Sequence, residues 1–163
     1  MKNETYMQIF IVRHGQANAM ASSDVSRELT SQGQDEVLKM AQYLKAQSHR
    51  FDVIYVSPYV RAQQTANIIA GQINQVDKLA TLDLITPAGN ANDVHDYIDG
   101  LLAQHSYKKI LLVSHMPIVS YLVGTLTAGQ ESPLFQTAAI AKIDYDVEAS
   151  KGELTSLLAP SSI

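Results

Sequence analysis

Two kinds of hydrophobic spacing alternate along the chain. Continuous apolar runs at 9–12, 53–56 and 110–113 are typical of strands that are buried on both faces of a sheet. Between them, apolar residues recur every three or four positions, which predicts amphipathic helices. This alternation predicts an α/β fold, a three-layer sandwich whose central sheet is mostly parallel and is flanked by helices. Strands are expected within residues 7–12, 52–57, 79–82, 108–115, 138–145 and 153–158.

Four helices are predicted from apolar stripes and from the residues that precede them. Thr30 is a suitable N-cap for the first helix, and Ser57 with Pro58 is expected to start the second. The third has its apolar face at 94–102, and the fourth is expected from Pro117 to about residue 128. The last two strands are expected to pair as a hairpin. A single domain over residues 1–163 follows, with residues 1–6 as a loose N-terminal extension.

Composition narrows the classes of function. Lysine and arginine total 12 against 16 acidic residues, a net charge of -4, so the chain has no basic field for nucleic acid or for a membrane surface. The absence of cysteine excludes disulfides, thiol catalysis and cysteine-ligated zinc. Neither a signal-peptide core nor an apolar run of about 20 residues is present, and a cytoplasmic protein is therefore expected.

Polar residues follow three of the buried strands. Arg13 and His14 end the first strand, Ser57 ends the second with Arg61 shortly after it, and Ser114-His115 ends a later one. Because the carboxyl ends of parallel strands meet at one edge, these side chains are expected to converge there. Two guanidinium groups have forked donors that suit phosphoryl oxygens. Taken singly, Arg61 is more simply explained as a solvated helix residue and His115 as a half-buried structural histidine.

The same residues resemble the histidine phosphatase superfamily, whose members include phosphoglycerate mutases and acid phosphatases. The matching segments are specific in combination, and the resemblance extends from Met7 nearly to Ala141, with the short bacterial phosphohistidine phosphatases as the most similar members. The matching segments are Arg13-His14-Gly15, Leu29-Thr30 with Gly33, the segment Ser57-Pro58-Tyr59-Val60-Arg61-Ala62-Gln63-Gln64-Thr65-Ala66, and Ser114-His115-Met116-Pro117.

The resemblance implies a role for each matching residue. It implies that His14 is the catalytic nucleophile and that Arg13, Arg61 and His115 are catalytic residues that form the phosphate-binding pocket. A nucleophilic imidazole must be neutral, and two neighbouring arginines are expected to hold the pKa of His14 below its usual value of about 6.5. Attack on phosphorus then gives a covalent phosphohistidine, which water hydrolyses. The scheme uses no cofactor and no metal, because the arginines supply fixed positive charge.

One departure from the superfamily pattern bears on the substrate. Many relatives carry a glutamate that protonates the leaving group, and Leu84 stands at that position, with Asp83 beside it as a candidate proton donor. The segment 76–107 is also too short for a large helical lid. Both features favour phosphohistidine, whose P–N bond is weak. The expected partner is therefore a phosphohistidine-bearing protein of two-component signalling or phosphotransfer, such as a histidine phosphotransfer domain or a phosphocarrier protein, and the expected product is inorganic phosphate.

Two other hypotheses remain open from the sequence. The chain could be a small-molecule phosphomonoesterase of the same superfamily, for which a lid and a dedicated acid would be the supporting features. It could also be a non-catalytic module that binds phosphoproteins, for which loss of His14 with retention of the arginines would be the supporting feature. His14 is present.

Overall fold

A computed structural model describes residues 5–163, which form one six-stranded sheet and four α-helices. The strands are β1 (Tyr6–Arg13), β2 (Val53–Val56), β3 (Leu79–Thr81), β4 (Lys109–Ser114), β5 (Ile140–Asp146) and β6 (Lys151–Leu158). The helices are α1 (Ser31–Ala46), α2 (Val60–Ile73), α3 (Ala91–Gln104) and α4 (Ile118–Leu126), with short 3-10 helices at Asp83–Ile85 and Pro160–Ser162. All six expected strands and all four expected helices are present, with ends that differ by a few residues.

The sheet has the strand order β3-β2-β4-β1-β5-β6. The first four strands in this order are parallel, whereas β5 is antiparallel to β1 and β6 is antiparallel to β5. The expectation of a mostly parallel sheet therefore holds only roughly, because the β5–β6 hairpin forms one end of the sheet. In the register of β1 against β4, Arg13 lies opposite Ser114, so the next residues of both strands leave the sheet side by side.

The helices cover both faces of the sheet, as expected for a three-layer sandwich. Alternate side chains of β1, β2 and β4 enter opposite cores, which explains why these strands are apolar at consecutive positions. One core contains Ile9 and Ile11 of β1 with the apolar faces of α3 and α4. The other contains Phe10 and Val12 with the apolar faces of α1 and α2.

The helix starts agree with the sequence in one case and differ in another. The Thr30 side chain accepts a hydrogen bond from the Gly33 backbone N–H, so Thr30 is the N-cap of α1. The second helix begins later than expected, at Val60, with Tyr59 as its N-cap. The prediction that Ser57 caps this helix is wrong, because Ser57 Oγ bonds the Tyr59 N–H ahead of the helix and also His115.

A loose N-terminal extension was expected over residues 1–6, and residues 1–4 of it lie outside the described part of the chain. Of the other two, Tyr6 already belongs to β1, and the Thr5 carbonyl accepts a hydrogen bond from Val147 N. Thr5 and Tyr6 are thus attached to the sheet, and the expected loose extension does not include them. Within residues 5–163, no helix combines the length and hydrophobicity needed to span a bilayer.

The connection between β3 and β4 decides how open the carboxyl edge of the sheet is. It contains a 3-10 helix at Asp83–Ile85 and α3, and α3 packs against α4 on one face of the sheet. The connection therefore adds no large lid, as expected from its length.

Candidate active site

The residues predicted at the strand ends lie together at the carboxyl edge of the sheet. His14 and His115 follow the paired residues Arg13 and Ser114, and their ring centroids are 5.0 Å apart. Arg61, in the first turn of α2, reaches the same place, with its Nε 3.2 Å from His14 Nε2. The structure confirms the predicted convergence, while the chemical roles of these residues stay predictions.

The hydrogen bonds of His14 define which ring nitrogen carries its proton. Nδ1 is 2.7 Å from the Gly15 carbonyl oxygen, which can only accept, so Nδ1 is the donor. Arg61 Nε–H can only donate, so His14 Nε2 must be the acceptor. Both contacts require the same tautomer of a neutral ring. The lone pair on Nε2 is therefore directed into the site.

Burial keeps the His14 ring neutral at physiological pH. The side chain is 7% exposed, and its pKa is lowered from 6.5 to about 4. Burial is the largest cause, and the positive charges of Arg61, Arg13 and Arg27 act in the same direction, whereas the Gly15 carbonyl opposes them. The pKa of His14 is lowered, as predicted. The prediction named the arginines as the main cause, whereas the main cause is burial.

Arg61 is a buried cation held by the loop between β1 and α1. Its Nη1 donates to the Asp24 carbonyl oxygen at 2.7 Å, and its Nη2 lies 3.4 Å from Asp24 Oδ2. Arg27 in turn donates to Asp24 Oδ1 at 3.0 Å. These contacts fix the guanidinium beside His14, so Arg61 is not the solvated helix residue that the sequence alone allowed.

Arg13 is held from the other side of the site. Its Nη1 donates to the Phe135 carbonyl oxygen at 2.8 Å, in the segment that leads from α4 to β5. Burial is the largest cause that lowers the pKa of Arg13, and the nearby Arg61 charge adds to it. Both side chains remain cations at neutral pH, because a guanidinium does not lose its proton in a protein.

His115 is almost completely buried, at 1% exposure. Its Nε2 lies 2.7 Å from Ser57 Oγ, and the ring of Tyr59 packs edge-on against it with centroids 5.0 Å apart. The pKa of His115 is lowered to about 3 by burial, with smaller contributions from His14 and Arg61. Like His14, it is therefore neutral at pH 7.

Two nitrogen atoms of the site lack a hydrogen-bond partner among residues 5–163. They are Arg13 Nε and His115 Nδ1, and both are buried. Arg13 Nε–H is always a donor, and a buried donor without an acceptor costs roughly 1–3 kcal/mol. An oxyanion that accepted a hydrogen bond from Arg13 Nε–H would recover that cost. This observation supports an anion-binding site at the carboxyl edge.

Two glycines allow the strand end and α1 to approach each other closely. A Cβ atom on Gly15 would lie 2.7 Å from both the Gly33 carbonyl oxygen and Val37 Cγ2. A Cβ atom on Gly33 would lie 2.0 Å from the Gln16 carbonyl oxygen. Neither position has space for a larger residue, which explains sterically why glycine occurs at these two positions of the matching segments.

Asp83, the candidate proton donor, is exposed in the 3-10 helix that follows β3. Within the described part of the chain, its carboxylate makes no hydrogen bond or ion pair with His14, Arg13, Arg61 or His115. Ile85, at the end of the same 3-10 helix, does approach the site, since its carbonyl oxygen accepts from Ser114 Oγ at 2.7 Å. A role for Asp83 stays a prediction.

Some contributors to the site were missed from the sequence. Asp24 and Phe135 hold the two arginines from positions 37 residues before Arg61 and 122 residues after Arg13. Phe135 contacts Arg13 through its backbone carbonyl, and such a contact cannot be recognised from the type of residue. Asp24 lies in a polar loop, where nothing in the sequence distinguishes it from other surface acidic residues. Arg27, whose charge lowers the pKa of His14, lies in the same loop and was also missed.

Comparisons with known proteins agree with this geometry. Residues 9–85 match the model of the histidine phosphatase superfamily (branch 1). The chain is 36% identical over 157 residues to phosphohistidine phosphatase SixA of Escherichia coli K12, with 96% of each chain covered. It is 38% identical to a SixA homolog of Haemophilus influenzae, covering 89% of this chain and 92% of the relative.

A solved structure of the protein histidine phosphatase SixA complexed with tungstate has the same fold. The TM-score is 0.90 at 37% identity, with 95% of this chain and 98% of that chain covered. The similarity therefore includes the strands that carry both histidines and the short connection between β3 and β4.

Proposed function

The chain belongs to the histidine phosphatase superfamily, and from this membership we propose that it is a protein phosphohistidine phosphatase. It hydrolyses phosphohistidine on signalling or phosphotransfer proteins through a covalent phosphohistidine on the enzyme. The observation that carries the proposal is the fixed tautomer of His14, which directs a neutral Nε2 lone pair into a pocket of arginines.

The reaction consists of two phosphoryl transfers. In the first, His14 Nε2 attacks phosphorus, and the P–N bond to the substrate histidine breaks. The leaving imidazole keeps the bonding electron pair and takes a proton. In the second, water attacks the phosphohistidine, and its bond to His14 breaks to release inorganic phosphate. The Gly15 carbonyl holds the proton on Nδ1 and so keeps Nε2 as the reacting atom in both steps.

The surrounding side chains stabilise the charge on the transferred group. Arg61 Nε–H donates to the Nε2 lone pair at 3.2 Å, and as Nε2 attacks, this N–H passes to an equatorial oxygen of the phosphoryl group bound there. Arg13 Nε and His115 Nδ1 are buried and have unused hydrogen-bonding capacity within residues 5–163. Preorganised donors of this kind act on the transition state without the cost of reorientation. No metal ion and no cofactor take part in the proposed scheme.

The substrate class follows from what surrounds the pocket. The short connection between β3 and β4 leaves the carboxyl edge accessible to a side chain presented by another protein. Among residues 5–163, the Asp83 carboxylate has no hydrogen bond or ion pair with the site residues, so the proposal places no dedicated acid beside the leaving group. A leaving imidazole accepts a proton readily, whereas an alkoxide needs an acid. The partners proposed are histidine phosphotransfer domains and phosphocarrier proteins of the cytoplasm.

The test compares two substrates and traps the intermediate. Purified protein is assayed on a histidine-phosphorylated phosphocarrier protein and on simple phosphate monoesters, with and without a chelator. We expect turnover of the phosphoprotein that the chelator does not change. Rapid quenching with labelled substrate should leave acid-labile, alkali-stable phosphate on the protein, and His14→Ala should abolish both label and turnover.

His105→Ala is the matched control, since His105 is an exposed histidine at the opposite edge of the sheet, before β4 begins. This variant should keep full activity. Label on a serine or an aspartate would contradict the assignment of His14. Monoester turnover that is faster by orders of magnitude would instead support a small-molecule phosphatase.

A further inference from the structure

Exposed apolar residues lie in each of the three segments that border the site. Val25 is 46% exposed in the loop between β1 and α1, and Leu84 is 36% exposed in the 3-10 helix after β3. Leu134 is 81% exposed in the segment between α4 and β5. Single exposed apolar residues are common on protein surfaces, so exposure alone decides nothing.

The position of each residue relative to the site is more informative. Each is the immediate neighbour of a residue whose backbone carbonyl holds a side chain of the site. The carbonyl of Asp24 accepts from Arg61, that of Ile85 from Ser114 and that of Phe135 from Arg13, at 2.7, 2.7 and 2.8 Å respectively.

Ile85 and Phe135 are themselves buried, at 0% and 3% exposure. In both of these segments, one apolar side chain is therefore buried, and the residue before it, Leu84 or Leu134, is exposed. Because the carbonyl oxygens of Asp24, Ile85 and Phe135 contact Arg61, Ser114 and Arg13, each of the three exposed residues is one position along the chain from a contact with the same site.

We propose that Val25, Leu84 and Leu134 form an apolar collar that docks the face of a folded phosphoprotein on which the phosphohistidine stands. This inference rests on the proposed function and specifies how the substrate is recognised. The occupant has a phosphorylated histidine at its centre, apolar side chains around it, and lysine or arginine further out.

Charge complementarity supports this occupant. The centre of the site contains Arg13 and Arg61, so it attracts one localised anion. Exposed carboxylates are close to two collar residues along the chain, Asp83 next to Leu84 and Glu131 three residues before Leu134, and the whole chain has a net charge of -4. A partner face with further acidic groups near its phosphohistidine would be repelled, whereas a face with basic residues outside an apolar ring would be attracted.

A small phosphorylated metabolite would use the centre and leave the collar in water. The collar is built from three segments that meet around the pocket, so one compact ligand in the pocket gains nothing from the outward side chains. A folded partner buries all three, and removing apolar surface from water favours association.

The experiment measures kcat/KM of Val25→Ser, Leu84→Ser and Leu134→Ser on two substrates. One is a histidine-phosphorylated phosphotransfer domain, and the other is N-phosphoimidazole, which has the same P–N bond and no protein surface. We expect each variant to lose about 5- to 30-fold on the phosphoprotein. Any loss on N-phosphoimidazole should be at least fivefold smaller. Leu79→Ser is the matched control, because Leu79 is 43% exposed on edge strand β3, away from the three collar segments.

Each outcome is informative. Equal kcat/KM of wild type and collar variants on the phosphoprotein overturns the collar, even if wild type is an efficient phosphohistidine phosphatase. Equal losses on both substrates also overturn it, because the segments would then only position the site. A wild type that hydrolyses neither substrate contradicts the proposed function and the collar with it. Unchanged melting temperatures ensure that a selective loss is not caused by unfolding.

Discussion

The two site histidines should make the stability of the fold depend on pH in a defined window. In the folded chain the pKa of His14 is about 4 and that of His115 is about 3, mainly because both rings are buried. In the unfolded chain both are expected near 6.5. The folded state therefore binds fewer protons than the unfolded state between these values.

The sign follows from proton linkage. As the pH falls below about 6.5, the unfolded chain takes up protons that the folded chain excludes, so the free energy of unfolding decreases. Stability is retained above this pH and is lost as the pH falls toward the folded pKa values. From pH 7 to pH 5, His14 and His115 should each remove about 2 kcal/mol from the free energy of unfolding, given their pKa values of about 4 and about 3.

The assay is urea unfolding at pH 7 and pH 5 for wild type, His14→Gln and His115→Gln. Each variant should lose about 2 kcal/mol less than wild type between the two pH values, because glutamine does not titrate. The lowered pKa of His49 acts in the same direction but is present in all three proteins, so it cancels in the comparison. His105→Gln, at an exposed position, is the control.

The variants should also be compared at pH 7 to measure the direct cost of each substitution. Glutamine leaves polar atoms in a buried site, so the absolute stability of the variants will differ, and the pH difference is the informative quantity. If both variants lose as much stability as wild type on acidification, burial of neutral imidazoles is not what these residues contribute, and the neutral His14 of the proposed mechanism loses its physical basis.

Two further predictions concern the chemistry. Arg13→Ala and Arg61→Ala should each lower the turnover rate by about 10²–10³, and the double variant should lose less than the product because both arginines serve one phosphoryl group; failure of vanadate and tungstate to inhibit competitively would argue against the pocket. Asp83→Asn should leave phosphohistidine hydrolysis nearly unchanged, whereas a loss of about 10²–10⁴ on an alkyl phosphate ester would make Asp83 the general acid after all.

Much of the fold could be predicted because its signals are local. Consecutive apolar residues in β1, β2 and β4 indicate strands that are covered on both faces, and both faces are indeed covered by helices. Thr30 could be assigned as an N-cap because a side-chain oxygen three residues before a free backbone N–H needs no tertiary information. The predicted start of α2 was wrong because the Ser57 hydroxyl contacts His115, which is distant in the sequence, and does not cap the helix.

The candidate site shows the same division. The residue pattern was enough to predict that buried parallel strands end near Arg13, His14, Ser57, Arg61, Ser114 and His115, and parallel strands bring their carboxyl ends to one edge. The tautomer of His14, the dominant effect of burial on its pKa, and the contacts of Asp24 and Phe135 with the arginines depend on the folded arrangement. Hydrophobic periodicity and helix capping are recorded in neighbouring residues, whereas desolvation and backbone carbonyl contacts arise between segments up to 122 residues apart.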